Sequence, residues 1–508
     1  MTTRAHSLSR QPLYDVTATK CLEQAALAHA ANHALMEQAG AATARLARAL
    51  APHARQFWIA CGQGNNGGDG FETAVQLHRA GRRVSVGLAG DVGRLPDDAR
   101  WAFKRVRAAG IPVAETPPDD LVEQDLCIDA LLGIGGSQRP APPWMQASLH
   151  ALHDAPCKVL CIDVPSGLDA STGQYAEGFA PDPACAGERH TLSLMTLKPG
   201  LFTGHGRDAA GIVWFDGLGI DPSWLDRTPP TAWLSGQVAP RPRTHASHKG
   251  SFGDVAILGG EALRRRGMGM GGAALLAGSA ALHAGAGRVL VALLDGPGGM
   301  ALDMSQPELM FRTPAALDLA TTTLVCGCGG GEAVRDHLPR VLAEATRLVL
   351  DADALNTIAA ERSLQDQLRK RADQGVVTIL TPHPLEAGRL LGTDAARVQS
   401  DRLAAAAHLV ERYACVAVLK GSGTVIAAPG LTPAINPTGN GRLATAGTGD
   451  VLAGMVGASL AAAGRSPSME QAFDAARDAA YRHGALADDW PNHLPLTAGG
   501  LARRSATS

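Results

Sequence analysis

One glycine-rich stretch, Cys61-Gly62-Gln63-Gly64-Asn65-Asn66-Gly67-Gly68-Asp69-Gly70, directly follows the apolar residues 57–60. Glycines after a strand let backbone N–H groups approach a phosphate, and the N-terminus of a following helix favours negative charge. The spacing is not G-x-G-x-x-G and no P-loop lysine follows, so both of those phosphate-binding motifs are poor matches. The stretch therefore predicts a strand–loop–helix unit of an α/β domain with a binding loop of another type.

A rhythm of strand-like and helix-like segments surrounds this stretch. Strands are predicted at residues 56–60, 83–88, 125–132, 158–164, 191–195 and 211–215. Helical spacing is found at residues 18–50, 70–80 and 97–109. This alternation predicts a mostly parallel sheet covered on both faces, with ligands beyond the carboxyl ends of the strands.

A proline-rich segment then interrupts the rhythm, with five prolines between residues 221 and 246. We expect little regular structure there and predict a first domain at 1–225, a linker at 226–246 and a second domain at 247–508. In the second domain, strands are predicted at 254–258, 288–293, 324–326, 347–350, 376–380 and 415–419, and helices at 450–463 and 469–487. The two halves share no motif, which indicates a fusion of two different α/β domains.

The second domain carries its own candidate site at Ala446-Gly447-Thr448-Gly449-Asp450, before an apolar helix. Free N–H groups at a helix start bind anions, and Asp450 is placed to take a proton from a hydroxyl near a phosphoryl group. An ordinary helix cap is the alternative for this aspartate. Asp351 and Asp353 either bind Mg²⁺ through water or only cap the next helix. His383, between two prolines, is either a site residue or a buried structural histidine.

Composition excludes several classes of protein. The formal net charge is −2 with a pI near 6.8, so we expect no nucleic-acid partner. No run of about 18 apolar residues exists to span a membrane, and residues 1–16 lack a signal-peptide core, so we expect a cytoplasmic protein. Nine cysteines without framework spacing indicate reduced thiols. Cys326 and Cys328 lack a second Cys or His pair, so we expect buried residues there and not a zinc site.

Four motifs of the first half, GNNGGDG, DALLGIGG, DVPSGLD and LKPGL, together resemble the NAD(P)H-hydrate epimerase family. The resemblance implies a Rossmann-like fold and interconversion of the two epimers of hydrated NADH or NADPH. It implies a K⁺ site at Asn66, Asp129 and Ser166, and a catalytic role for Asp163 beside the hydrated ring. The implied hydrate-binding residues are Asn65, Asn66, Gly67, Gly68, Asp69, Gly133, Ile134, Gly135, Gly136, Ser137, Gln138, Arg139 and Asp163.

The second half resembles the ADP-dependent NAD(P)H-hydrate dehydratase family, through HKGSFG at 248–253, LDADALN at 350–356, TPHPLE at 381–386, KGSGT at 420–424 and NPTGN with GTGD at 436–450. The resemblance implies a ribokinase-like fold, ADP as co-substrate, Mg²⁺ and Asp450 as the base. The implied hydrate-binding residues are Ala273, Gly329, His383 and Asp450. The implied ADP- or AMP-binding residues are Lys420, Gly421, Ser422, Gly423, Thr424 and Gly449.

The chain departs from these families at three loops. Residues 131–136 lack the usual aromatic residue, and the loop that usually reads GPG is here Gly327-Cys328-Gly329-Gly330-Gly331. In the third loop, Arg264–Arg266 replace a short link rich in Ser and Tyr. Together the halves predict repair of the hydrates NADHX and NADPHX by a homo-oligomer. The main alternative is a ribokinase-like small-molecule kinase with a non-catalytic nucleotide-binding N-terminal domain. A scaffold role for the first half and an NAD-dependent dehydrogenase are the others, and the latter lacks the dinucleotide fingerprint.

Overall fold

The structure, a computed structural model, describes residues 2–5, 9–88, 90–135, 140–181, 188–239, 244–296 and 299–505. The chain divides into two compact units, Met1–Gly236 and Gln237–Ser508. Among the described helices, none combines the length and the apolar character needed to cross a membrane. The two-domain limits drawn from the sequence stay a prediction.

The first unit is built on a sheet whose strands are all parallel except at one edge. Its strands are β1 (Thr3–Arg4), β2 (Gln11–Leu13), β3 (Phe57–Cys61), β4 (Val84–Leu88), β5 (Val113–Ala114), β6 (Leu126–Ala130), β7 (Lys158–Ile162), β8 (Arg189–Leu194), β9 (Ile212–Asp216) and β10 (Ala232–Leu234). Eight of them form the sheet, in the order β1-β9-β8-β7-β6-β3-β4-β5. Within these eight described strands, only β1 runs antiparallel to its neighbour.

Helices cover both faces of this sheet. They are α1 (Val16–His29), α2 (Ala34–Leu50), α3 (Asn65–Arg79), α4 (Asp97–Ala108), α5 (Gln146–His153), α6 (Gly206–Ala210) and α7 (Pro222–Asp226). Successive residues of β3 point to opposite faces, so Phe57 and Ile59 join one apolar cluster while Trp58 and Ala60 join the other. A strand buried on both faces explains why residues 57–60 are continuously apolar.

The expectation of little regular structure in residues 221–246 is wrong at residues 222–226, which form α7, and at residues 232–234. At residues 232–234, β10 pairs antiparallel with β2. Its side chains Ala232 and Leu234 are buried, which accounts for a strand in an otherwise proline-rich segment. Three residues of alternating burial are too short a signal to stand out from the surrounding prolines.

The second unit has nine strands among its described residues: β11 (Asp254–Glu261), β12 (Arg288–Leu294), β13 (Met310–Phe311), β14 (Thr323–Cys326), β15 (Arg347–Leu350), β16 (Val377–Leu380), β17 (Val416–Leu419), β18 (Val425–Ala428) and β19 (Leu431–Ile435). They follow the order β13-β12-β11-β14-β15-β16-β17-β18-β19. In this spatial order, the seven strands from β13 at the edge to β17 are all parallel. β18 pairs antiparallel with β17, and β19 pairs antiparallel with β18.

Its helices are α8 (Leu263–Arg266), α9 (Gly271–His283), α10 (Leu338–Glu344), α11 (Ala352–Ala360), α12 (Arg362–Asp373), α13 (Pro384–Leu391), α14 (Ala395–Ser400), α15 (Arg402–Tyr413), α16 (Thr448–Ala462), α17 (Met469–Asp488) and α18 (Ala498–Arg504). Two apolar clusters again lie on opposite faces, with Val255 and Ile257 of β11 in one and Ala256 and Leu258 in the other. The predicted pair of α/β domains is confirmed.

Candidate active sites

The first site centres on Asp163, which directly follows β7 in a left-handed backbone conformation with φ of 67°. Its carboxylate accepts a hydrogen bond from the Leu194 N–H at 3.1 Å and forms a short ion pair with the Lys198 ammonium. Lys198 is fully buried and also donates to the Leu194 carbonyl at 2.7 Å. Because a buried ammonium needs a counter-charge, this pair fixes the carboxylate at the carboxyl edge of the sheet.

A cavity of about 450 Å³ opens beside Asp163. The structure brings many of the predicted hydrate-binding residues to its wall, namely Asn65, Asn66, Asp69, Gly133, Ile134, Gly135 and Asp163. Gly67 and Gly68 lie in the first turn of α3, behind that wall. Gly136, Ser137, Gln138 and Arg139 lie outside the described residues.

Three further acids line this cavity: Asp69, Glu23 of α1 and Asp98 of α4. The sequence did not single out the last two. Burial raises the pKa of Asp69 well above its ordinary value, and the negative charges of Asp163 and Glu23 add to the effect. Burial and then the charge of Asp163 raise the pKa of Glu23 as well, against the opposing charge of Lys198. The cavity therefore concentrates carboxyl groups, two of them with raised pKa values, and such groups are candidates for moving protons.

The predicted cation ligands Asp129 and Ser166 contact each other and line a second cavity, of about 710 Å³. The Ser166 hydroxyl donates to the Asp129 carboxylate at 2.6 Å, and the Ser166 N–H donates to its other oxygen at 2.9 Å. The third predicted ligand, Asn66, is buried, and its side-chain nitrogen has no hydrogen-bond partner among the described residues. Asn66 lines the cavity next to Gly133, since a methyl group on Gly133 would lie 3.3 Å from the Asn66 amide oxygen.

The second site centres on Asp450, in the first turn of α16. The helix begins after Gly447, whose φ of 88° makes the turn that glycine favours. Burial, and after it the negative charge of Asp351, raises the pKa of Asp450 to about 6, while the Lys420 ammonium opposes the rise. A carboxyl group with such a pKa is well matched to accept a proton at neutral pH.

Asp351 joins three elements of this site through hydrogen bonds. Its Oδ1 accepts hydrogen bonds from the Lys420 ammonium at 2.7 Å and from the Thr381 hydroxyl at 2.7 Å. Although Asp351 precedes α11, its side chain makes no capping hydrogen bond. The alternative that Asp351 only caps a helix is therefore wrong. Asp353 accepts from the Gly331 N–H at 2.8 Å, which ties the 327–331 loop to the start of α11.

Residues 420–424 form the turn of the antiparallel β17–β18 hairpin. The buried Arg402 guanidinium holds this turn by donating to the carbonyls of Leu419, Lys420 and Gly423 at 3.0–3.4 Å. Gly449 lies against the turn, since a methyl group on it would come 3.4 Å from the Lys420 nitrogen. The structure thus brings the predicted nucleotide-binding residues of both segments together, within reach of Asp450 at the start of α16.

The predicted hydrate-binding residues of this unit divide into two groups. Gly329 packs on Ala273, since a methyl group on Gly329 would come 2.8 Å from the Ala273 Cβ. His383 caps α13, where its Nδ1 accepts the Leu385 N–H at 3.2 Å. Its side chain is 45 % exposed, so it is not the buried histidine considered from the sequence. An exposed ring held by its own helix cap is available to a ligand.

Comparison with known proteins agrees with this geometry. Residues 257–502 match the family model described as NAD(P)H-hydrate dehydratase, and residues 32–200 match the one described as YjeF-related protein N-terminus. The chain is 38 % identical over 470 residues to the bifunctional NAD(P)H-hydrate repair enzyme Nnr of Escherichia coli, covering 89 % of this chain and 84 % of that one. The chain belongs to the bifunctional NAD(P)H-hydrate repair enzyme family.

A second relative, the Nnr enzyme of Coxiella burnetii, is 33 % identical over 490 residues, covering 91 % of this chain and 94 % of its own. Among solved structures, the ADP/ATP-dependent NAD(P)H-hydrate dehydratase of Bacillus subtilis is 31 % identical, with a TM-score of 0.40, covering 52 % of this chain and 92 % of its own. The α/β fold of both units and the bifunctional NAD(P)H-hydrate repair activity expected from the motifs are confirmed.

Proposed function

We propose that Asp450 is the base of an ADP-dependent dehydration of the S epimer of NADHX and NADPHX. Asp450 takes the proton of the hydrate's hydroxyl while that oxygen attacks the terminal phosphorus of ADP, and the bond to AMP breaks. Loss of phosphate from the ring carbon, and of a proton from its neighbour, then restores NADH or NADPH. The nitrogen lone pair of the ring helps to expel the phosphate. The observation that carries the proposal is the raised pKa of Asp450 at the start of α16.

Lys420 and the rest of the 420–424 turn, with Gly449, would hold the phosphates of ADP. A buried ammonium and the free N–H groups at a helix start are suited to an anion. Ala273, Gly329 and His383 would line the hydrate pocket. Asp351 and Asp353 offer the oxygen ligands that Mg²⁺ requires, directly or through water. Mg²⁺ would neutralise charge on the phosphoryl group during its transfer.

In the first unit, Asp163 would move the proton that epimerisation of the hydrated ring requires, with Lys198 holding its carboxylate in place. The dinucleotide would contact the cavity wall at Asn65, Asn66, Asp69 and residues 133–135. This step supplies the S epimer, so that a stereospecific dehydratase consumes both hydrates. The shared substrate explains why two unlike sites occur in one chain.

The residues expected to hold K⁺ suit that ion. Asp129 and Ser166 present oxygen ligands, which a hard cation prefers. The nitrogen and oxygen of an amide have the same shape, so the buried Asn66 amide can turn its oxygen to the position where its nitrogen has no partner. K⁺ would stabilise the loops that carry these three residues. A cytoplasmic location and a homo-oligomer stay predictions.

A mixture of both NADHX epimers, with ADP and Mg²⁺, tests these roles through the near-ultraviolet absorbance of NADH. The parent is expected to recover all the NADH. Asp450→Asn is expected to recover none, and Asp163→Asn to show a fast phase from the S epimer and then a slow tail. Accumulation of a stable phosphorylated hydrate without NADH would refute the dehydratase role and favour the small-molecule kinase alternative.

A further inference from the structure

Cys328 lies beside two carboxylates of the second site. Its sulfur is 3.9 Å from Oδ2 of Asp351. One ligand atom from each of Cys328, Asp351 and Asp450 lies within 4.8 Å of the other two. Cys328 and Asp351 are 0 % and 1 % exposed. From the sequence we expected Cys328 to be a buried thiol without metal partners. The fold instead places two carboxylates beside it, Asp351 at the carboxyl end of β15 and Asp450 at the start of α16.

We propose that Cys328, Asp351 and Asp450 form a site for a thiophilic divalent cation of the Zn²⁺ class, and that its binding inhibits the dehydratase. Zinc binds thiolates at about 2.3 Å and carboxylates at about 2.0–2.2 Å, so the three ligand atoms must close by roughly 1 Å. Three protein ligands leave the fourth tetrahedral position for water.

The two oxygens of Asp351 have separate roles in this geometry. Oδ1 is engaged by the Lys420 ammonium and the Thr381 hydroxyl, each at 2.7 Å, while Oδ2 faces the sulfur of Cys328. Partners of this kind orient a ligating carboxylate. Lys420 repels an incoming cation, but it also completes the charge balance of the loaded site. One thiolate and two carboxylates match the charges of Zn²⁺ and one ammonium, so no net charge is buried.

The sulfur ligand sets which metal binds. Thiolates select zinc and its soft relatives, whereas Mg²⁺ requires oxygen ligands. On binding, the Cys328 S–H bond breaks, the sulfur–zinc bond forms and one proton leaves to solvent. Asp450, once a zinc ligand, no longer accepts the proton of the hydrate's hydroxyl. The inhibition therefore rests on the proposed role of Asp450, while the metal site itself does not.

Cobalt spectroscopy tests the site without any assay of activity. Co²⁺ alone is titrated into the reduced full-length chain, and the thiolate-to-cobalt charge-transfer band is recorded. Cys326→Ser is the matched control, because Cys326 lies two residues away, is equally buried and packs into an apolar cluster. We expect the band in the parent and in Cys326→Ser but not in Cys328→Ser. A band that survives in Cys328→Ser, or its absence from the parent, would overturn the proposal.

Zinc inhibition of NADH recovery from the S epimer is then measured for each chain against its own rate without zinc. Loss of a metal ligand should raise the inhibition constant at least about 10-fold, the lower end of what loss of an orienting partner alone costs. Cys328→Ala repeats the test if the serine variant does not fold. An unchanged inhibition constant in the folded variant refutes inhibition through Cys328. The two proposals can fail separately. If Asp450→Asn keeps its dehydratase activity while the parent shows the cobalt band, the role of Asp450 as the base is refuted and the metal site is not.

Discussion

Replacement of Asp450 by asparagine should stabilise the second unit while it abolishes dehydration. The raised pKa of Asp450 means that its charged form is disfavoured in the folded state. The difference between an ordinary aspartate pKa of 3.8 and about 6 corresponds to about 2–3 kcal/mol, with allowance for partial exposure. Asparagine has the same shape and removes that cost. A gain of this size should raise the unfolding temperature by roughly 5 °C.

The effect has a defined pH dependence. Because the pKa of Asp450 is higher in the folded state than in the unfolded state, the folded state binds more protons between about pH 4 and pH 6. The stability of the parent therefore falls as the pH rises through this window, and the full cost is present above about pH 6. The difference between Asp450→Asn and the parent should be full at pH 8 and about half as large at pH 5.

Asp351→Asn is the matched control, since both carboxylates lie in the same cluster. Asp351 makes a buried ion pair with Lys420, so its loss should destabilise the unit by roughly 3 kcal/mol. Urea unfolding of the two variants at pH 8 and pH 5 separates the opposite signs. If Asp450→Asn is no more stable than the parent at pH 8, the inference that the charged form of Asp450 destabilises the folded state is wrong.

Three further predictions concern single contacts. Lys198→Met should lower the epimerisation rate by about 10²–10⁴-fold, because the Asp163 carboxylate loses the ammonium that positions it. Dehydration of purified S epimer should continue at the parental rate. Epimerisation at the parental rate would contradict a positioning role for Lys198. Gly329→Ala should raise KM for the hydrate and lower the free energy of unfolding in urea by at least about 1 kcal/mol. The reason is that φ of Gly329 is 58° and the added methyl group would lie 2.6 Å from a carbonyl oxygen. An unchanged KM would mean that this loop does not line the hydrate pocket. Arg402→Met should raise KM for ADP about 10-fold by releasing the 420–424 turn, and an unaltered KM would mean that the turn does not hold the nucleotide.

The sequence predicted the regular core of both domains well, because the buried parallel strands are short continuous apolar runs. Residues 347–350 are an example, since the predicted strand has the same limits as β15. The β18–β19 hairpin was missed. From the sequence, residues 420–424 were expected as nucleotide-binding residues. The structure places them in the turn between β17 and β18, and their contact with a nucleotide stays a prediction.

Contacts between distant residues were beyond prediction from spacing. Lys198 stands in a motif that the sequence singled out, yet its partner Asp163 is 35 residues away. Lys420 and Asp351 are 69 residues apart, and they meet because β15, β16 and β17 are neighbours in the sheet. The metal-like arrangement around Cys328 arises in the same way. A single sequence shows the loops at the carboxyl edge but not which side chains pair across it.

Mixing two inactivated chains is the most direct test of two separate activities acting on one substrate. Asp163→Asn and Asp450→Asn variants are combined with both NADHX epimers, ADP and Mg²⁺, and NADH recovery is followed to completion. Two independent sites predict full recovery at the parental rate for the mixture, a slow tail for the first variant alone and no recovery for the second alone. A mixture that recovers no more NADH than Asp163→Asn alone, with the same slow tail, would contradict the account.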